Sequence, residues 1–176
     1  MKRMTFLSMV VVALLIVSVL PVAAQRGDDT NRVSKNGKVE GVIADVSVTV
    51  EYGRPMVKGR EIWGGLVPFD AVWRTGADEA TKITFSKDVN VEGSKLVAGT
   101  YSLFTIPGKT EWVVVFNKVA AQWGHYKYDK EQDALRVTVK PETTEMIEQL
   151  TFKIEGNKII MSWEKLSIGF TISVAN

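Results

Sequence analysis

Val46-Ser47-Val48-Thr49-Val50-Glu51-Tyr52 is the stretch whose reading decides the fold. Valines and a tyrosine alternate with polar residues at a strict period of two. That period puts the apolar side chains on one face of a strand and the polar ones on the other. The β-branched residues favour the same conformation. Outward from here the rhythm repeats. Ile83 and Phe85 flank Thr84, and Val89 and Val91 run into Glu92-Gly93-Ser94-Lys95, a hairpin-like turn, before Leu96 and Val97. Tyr101, Leu103, Thr105 and Ile106 extend from Ala98-Gly99 to Pro107-Gly108, and Trp112 to Phe116 is an apolar run suited to a central strand. Leu135, Val137 and Val139 alternate up to Pro141; Phe152 and Ile154 meet a turn at Gly156-Asn157. Ile159 to Trp163 and then Ile168, Phe170, Ile172 and Val174 complete the series. Only Glu142 to Gln149 (ETTEMIEQ), behind Pro141, reads as a short helix with a threonine or glutamate to cap it. Many short strands with regular turns predict an all-β fold. The expectation is an antiparallel β-sandwich, jelly-roll-like or Ig-like, with a short helix near 142–149.

The chain's 176 residues suit one domain. Lys2 and Arg3 precede an apolar run from Met4 to Leu20, and Pro21-Val22-Ala23-Ala24 supplies small residues before Gln25. This is the pattern of a signal peptide over residues 1–24, cleaved after Ala24, and it predicts a periplasmic or secreted protein with no stable membrane anchor after cleavage. Residues 25–38 are polar and aperiodic and read as a flexible leader, leaving 39–176 as the sandwich domain. Loss of Lys2 and Arg3 brings 22 basic residues to 20, against 20 acidic ones. A balanced charge gives no reason to expect nucleic acid as partner. With no cysteine there are no disulfides and no thiolate metal sites, and a single histidine, His125, leaves most zinc arrangements out. No metal and no cofactor is expected.

Three segments interrupt the strands, and loops at one end of a sandwich are where such folds carry sites. Gly53 to Gly65 (GRPMVKGREIWGG) holds Arg54, Lys58 and Arg60, with Trp63 close behind. Proline at 55 stiffens the loop, and guanidinium forks match carboxylate or phosphate. Three cations here make either an anion pocket or a set of ion pairs to Glu61, Asp70, Asp78 or Glu79. The second segment, Val72 to Thr81 (VWRTGADEAT), carries Trp73, Arg74, Asp78 and Glu79. Arg74 is the leading candidate for ligand contact; the competing reading is an Arg74–Glu79 ion pair that closes the loop. The third, Asn117 to Asp133, brings Trp123, His125, Tyr126 and Tyr128. Its tryptophan, like Trp63 and Trp73, either stacks on a ligand or plugs the end of the sandwich.

Several chemistries find no support. Glu92-Gly93-Ser94-Lys95-Leu96 lacks the second glycine of a serine-hydrolase elbow. Asp129, Glu131 and Asp133 have Ala134 and Lys140 where a calcium loop needs glycine and glutamate. There is no phosphate loop and no dinucleotide fingerprint.

The words YGRPMVKGREIWGGLVPFDAVWRTGADEATKITF, LVAGTYSLFTIPGKTEWVVVFNK and QWGHYKYDKEQDALRVTV occur in this order. They resemble the exported bacterial family called domain of unknown function 2911, over roughly Val46 to Pro141 and the C-terminal strands. The resemblance implies a secreted or periplasmic β-rich protein without an assigned activity. It implies arginine as the family residue at Arg54 and Arg74, tryptophan at Trp63, Trp73 and Trp123, and glutamate at Glu79. Asp78 stands where the family often has asparagine, and His125 where it often has a small residue. Both departures speak against a catalytic role for either.

The functional expectation is a non-catalytic envelope module. It binds a polar or anionic ligand, a glycan or a carboxylate, through Arg54, Lys58, Trp63, Trp73, Arg74, Glu79 and Trp123. The alternatives are a metal-independent carbohydrate-active hydrolase or lyase using Glu79 with Arg74, and a structural domain that engages an envelope protein.

Overall fold

The computed structural model describes residues 26–175; the signal-peptide reading of 1–24 lies outside them. Ten strands follow in order: β1 (Asn36–Ile43), β2 (Val46–Gly53), β3 (Thr81–Phe85), β4 (Val89–Val91), β5 (Ser94–Leu96), β6 (Gly99–Pro107), β7 (Trp112–Asn117), β8 (Asp133–Val139), β9 (Glu142–Glu155) and β10 (Lys158–Val174). A 3-10 turn, Lys130–Gln132, precedes β8. The strands form two antiparallel sheets, a six-stranded one in the order β1-β2-β3-β6-β7-β8 and a four-stranded one in the order β5-β4-β10-β9. The fold is a β-sandwich.

The alternation that opened the sequence does what its period dictates. Val46, Val48, Val50 and Tyr52 of β2 are all buried, while Ser47 faces solvent. They meet Leu150 and Phe152 of β9 and Ile159, Met161, Phe170 and Ile172 of β10 in one core. Tyr52 packs edge-on against Phe152, ring centres 4.8 Å apart, and its hydroxyl accepts the Phe152 N–H at 3.1 Å. Burying such side chains removes roughly 1.5–3 kcal/mol of unfavourable hydration each. The core can therefore hold the fold without disulfides.

Two expectations need correcting. Residues 142–149 are not a helix but the first part of β9, paired with β10 through Ser167↔Glu142, Leu166↔Thr143 and Glu164↔Ile147. Thr143, Thr144 and Ile147 are β-branched and resist a helix, and a long neighbouring strand offers them backbone partners. The register shifts twice on the way, around Glu164, whose φ is +58°. That irregularity also changes which side of β10 faces inward. Ile159, Met161 and Trp163 are buried before it, and Ile168, Phe170 and Ile172 after it. A strict period of two cannot cross such a break, which is why the sequence reads as two strands where there is one.

The second correction concerns the polar leader. β1 begins at Asn36, inside the segment read as 25–38, and Arg26 is buried. A segment without apolar period looks solvated, but polar groups can tie it down as firmly as a core can. Among the described residues no helix is long and apolar enough to cross a membrane.

Candidate functional site

The long loops between β2 and β3 are held in shape by backbone pairing to strands on both sheets. Val57 N–H donates to the Glu148 carbonyl at 2.8 Å and Leu150 N–H to that of Pro55 at 3.0 Å, which stitches the first loop to β9. Trp73 exchanges both hydrogen bonds with Thr105 of β6, at 2.8 and 2.9 Å, and so continues the sheet where β3 has not yet begun. The third loop is zipped to the second: Ala80 N–H donates to Gln122 O and Gly124 N–H to Asp78 O, both at 3.0 Å. Gly53 lets the end of β2 pass under this assembly. A Cβ there would stand 2.3 Å from the Ala77 carbonyl oxygen.

Four indoles close this end of the sandwich. Trp63 sits edge-on to Trp112, Trp73 and Trp163, with ring centres 4.8, 5.7 and 5.8 Å away. Trp73 stacks on Trp163 at 5.8 Å with 17° between the planes. The loop tryptophans Trp63 and Trp73 thus plug the sandwich against the strand tryptophans Trp112 and Trp163. Trp123 does not join them; it is 60 % exposed.

Glu79 is held by the N-terminal segment. Arg32 grips it with two guanidinium hydrogen bonds of 2.6 Å, Gly27 N–H donates to it at 3.2 Å, and Arg26 Nη2 lies 3.1 Å from its Oε2. Arg26 also donates to the carbonyls of Ala77, Glu79 and Ala80 and, through Nε, to Asn36. Burial alone would raise the Glu79 carboxyl. The Arg32 hydrogen bonds, the backbone donors and the Arg26 charge outweigh it and hold the group down at about 2. The same burial lowers Arg26, against the attraction of Glu79. Glu79 is therefore a fixed anion at neutral pH, not a proton donor. The expected Arg74–Glu79 ion pair does not exist, because Arg26 and Arg32 occupy that carboxylate.

Arg74 is left differently. Its Nε is buried and its side chain has no hydrogen-bond or ion-pair partner among the described residues. It lines a cleft of about 530 Å³ whose floor is Trp73 and Trp163 and whose other cations are Lys58 and Arg60. That volume is in the range of small-molecule sites, roughly 300–1,000 Å³. Arg60 is half committed to its own loop, donating to the carbonyls of Val57 and Met56. Asp78, the one carboxylate in the lining, lies 3.4 Å from Arg32. The next residue after Arg74 is strained: Thr75, β-branched and fully buried, has φ +53°. Its hydroxyl contacts that of Thr105 at 3.1 Å, and its carbonyl accepts from Thr81 Oγ1 at 2.8 Å. These bonds hold a conformation that costs of order 1–3 kcal/mol, and such strain concentrates at ligand sites.

The structure thus divides the sequence candidates. Lys58, Trp73 and Arg74 line one cleft, with Trp63 packed behind its floor. Glu79 and Trp123 line a smaller hollow of about 210 Å³ with Arg26 and Lys82. Arg54 lies against Gly37 of β1, its Nε buried without a partner, outside the lining of the main cleft. His125 stacks on Tyr126 at 5.0 Å at the cleft rim. Trp163, Val67 and Val72 are lining residues the sequence did not signal, since inside a strand or loop pattern they read as core. Among the described residues no group of three or more histidine, cysteine or acidic side chains could hold a metal.

A family model described as Protein of unknown function (DUF2911) matches residues 34–172, so the chain belongs to that family. No curated protein and no solved structure matches it.

Proposed function

From a chain of this family, we propose a binding module that works outside the cytoplasm and captures a small polar or anionic ligand without converting it. The observation that carries this reading is Arg74. Its terminal guanidinium nitrogens are not buried and have no partner among the described residues, so an anion entering the cleft can pair with them, and Lys58 lines the same cleft. The reading against catalysis rests on Glu79. The carboxylate best placed in the sequence to act as an acid is ionised and shared between two arginines. The reading for export rests on Lys2-Arg3, the apolar run to Leu20 and the small residues before Gln25.

The test is calorimetric titration of the mature protein with acidic sugars and carboxylates, run beside Arg74→Gln. A saturable heat without turnover, lost in the variant while its melting temperature is kept, supports the module. Ligand at a hundredfold excess over Kd should add about 2.7 kcal/mol of stability. If no anion binds, or Arg74→Gln binds as well as the parent, the reading fails. Intact mass of the protein recovered outside the cytoplasm tests export; a chain that begins at Gln25 is the expected product.

A further inference from the structure

The lining of the Arg74 cleft narrows what kind of anion fits, and this step rests on the binding reading above. A glycan site offers open aromatic faces and many neutral hydrogen-bonding side chains. This cleft offers neither. Trp73 and Trp163 are 7 % and 1 % exposed and spend their faces on each other. Trp123, the one widely exposed indole, lies outside the lining. Apart from the charged groups and the indoles, the polar side chains present are Ser34 and His125. The walls are aliphatic instead: Pro55, Met56, Leu66, Val67 and Val72, with Val33 at the rim. Met56 and Leu66 are 38 % and 49 % exposed, apolar surface held at the mouth of a cationic cleft.

We propose that the cleft takes a carboxylate carried on an aliphatic body. The carboxylate sits on the two terminal nitrogens of Arg74, which unlike Nε are not buried and have no partner among the described residues; their parallel N–H groups match its two oxygens. Lys58 adds charge at the mouth. The hydrocarbon lies along the exposed side chains of Met56 and Leu66 and the half-buried Val72. A neutral glycoside brings no charge to the Arg74 guanidinium, and an acidic sugar leaves the aliphatic walls wet. The same chemistry has two sources, a free fatty acid or the C-terminus of an apolar peptide.

The experiment is calorimetry on the intact mature protein with acetate, butyrate, hexanoate and octanoate, each below micelle formation. Glucuronate, octyl phosphate and octyl glucoside serve as controls. Affinity should rise about two- to fourfold per methylene until the walls are covered. Octyl glucoside should be silent and glucuronate should bind no better than acetate. Arg74→Gln should weaken octanoate at least tenfold. Leu66→Asn, a surface change that leaves the fold alone, should flatten the chain-length series and spare acetate. A tripeptide ending in Leu-Val, with its C-terminus free or amidated, separates the sources. Binding of the free acid alone assigns the peptide, and binding of octanoate without either tripeptide assigns the fatty acid.

Glucuronate binding as tightly as octanoate in an Arg74-dependent way overturns the aliphatic body and keeps the anion site. Octyl phosphate binding more tightly than octanoate overturns the carboxylate. Failure of every anion, glucuronate included, takes down the binding reading with it.

Discussion

Arg26 and Arg74 lie on the same end of the sandwich and have opposite fates. Arg26 is inserted under the loop of residues 76–80, with its side chain only 4 % exposed, and nearly every donor it owns is matched by Glu79, Asn36 or a carbonyl. Arg74, a few residues away in the loop that Arg26 clamps, has no partner for its guanidinium among the described residues. The first arrangement is what a charge does when it holds structure together. The second leaves the terminal nitrogens of a guanidinium open to an anion from outside. Satisfied and unsatisfied cations side by side separate scaffold from site more sharply than residue type does, since both are arginines next to acidic residues in a polar loop.

The largest effect expected from breaking this contrast is at Glu79. Glu79→Gln leaves Arg26 and Arg32 facing each other without their anion. It should cost about 3 kcal/mol, read as a lowered denaturant midpoint with an unchanged slope. Acid should do the same to the parent. Glu79 has its folded-state value depressed, so its contribution is fully present above the ordinary glutamate range and is lost as pH falls through about 2. The loss should be about 2–3 kcal/mol between pH 4.5 and 2 beyond what Glu79→Gln shows in the same titration. A variant that follows the parent's acid curve would remove Glu79 from the latch. Next, Arg26→Ala should cost about 2 kcal/mol, because the carbonyls of Ala77 and Ala80 lose their buried donor.

Arg74 should behave in the contrary way. Arg74→Ala removes a cation that no carboxylate depends on and an unpaired buried nitrogen, so ligand-free stability should hold or rise, by up to about 2 kcal/mol. A loss of 2 kcal/mol or more would show that Arg74 is structural and would erase the contrast. The smallest effect sharpens it. Lys58 is exposed and has φ +48°, a left-handed conformation that glycine adopts without strain. Lys58→Gly should gain about 0.5 kcal/mol of stability and weaken anion binding, a trade expected of a residue kept for a ligand.

The sequence made the sandwich legible because half-buried strands write their burial as alternation, clearest at Val46 to Tyr52. It hid β9 and β10 as a single ribbon because the irregularity at Glu164 resets that alternation. Within the loops it made the residue types legible but not their partners. Glu79 finds Arg32 across 47 positions and Arg26 across 53, from a segment with no pattern at all. Nothing local distinguishes those arginines from Arg74, so the ion pair expected between Arg74 and Glu79 was a choice of the nearest cation in sequence. The floor of the cleft was hidden for a different reason. Trp163 belongs to a strand whose register alone decides that its ring ends under Trp73.

The position of β10 has a consequence for how the chain folds. It is the longest strand and the last of the ten to be synthesised, yet it lies between β4 and β9 at the centre of the smaller sheet. Until residues 158–174 have emerged, β4 and β5 have no third strand to join and β9 has no partner within its sheet. The core residues of the larger sheet stay uncovered for the same interval. Closure must wait for pairings as distant as Ile172 with Val91, and loops of that length are slow to close. The domain therefore cannot shut before β10 has been synthesised. A chain truncated before Lys158 should remain open to proteases however many of its earlier strands are intact.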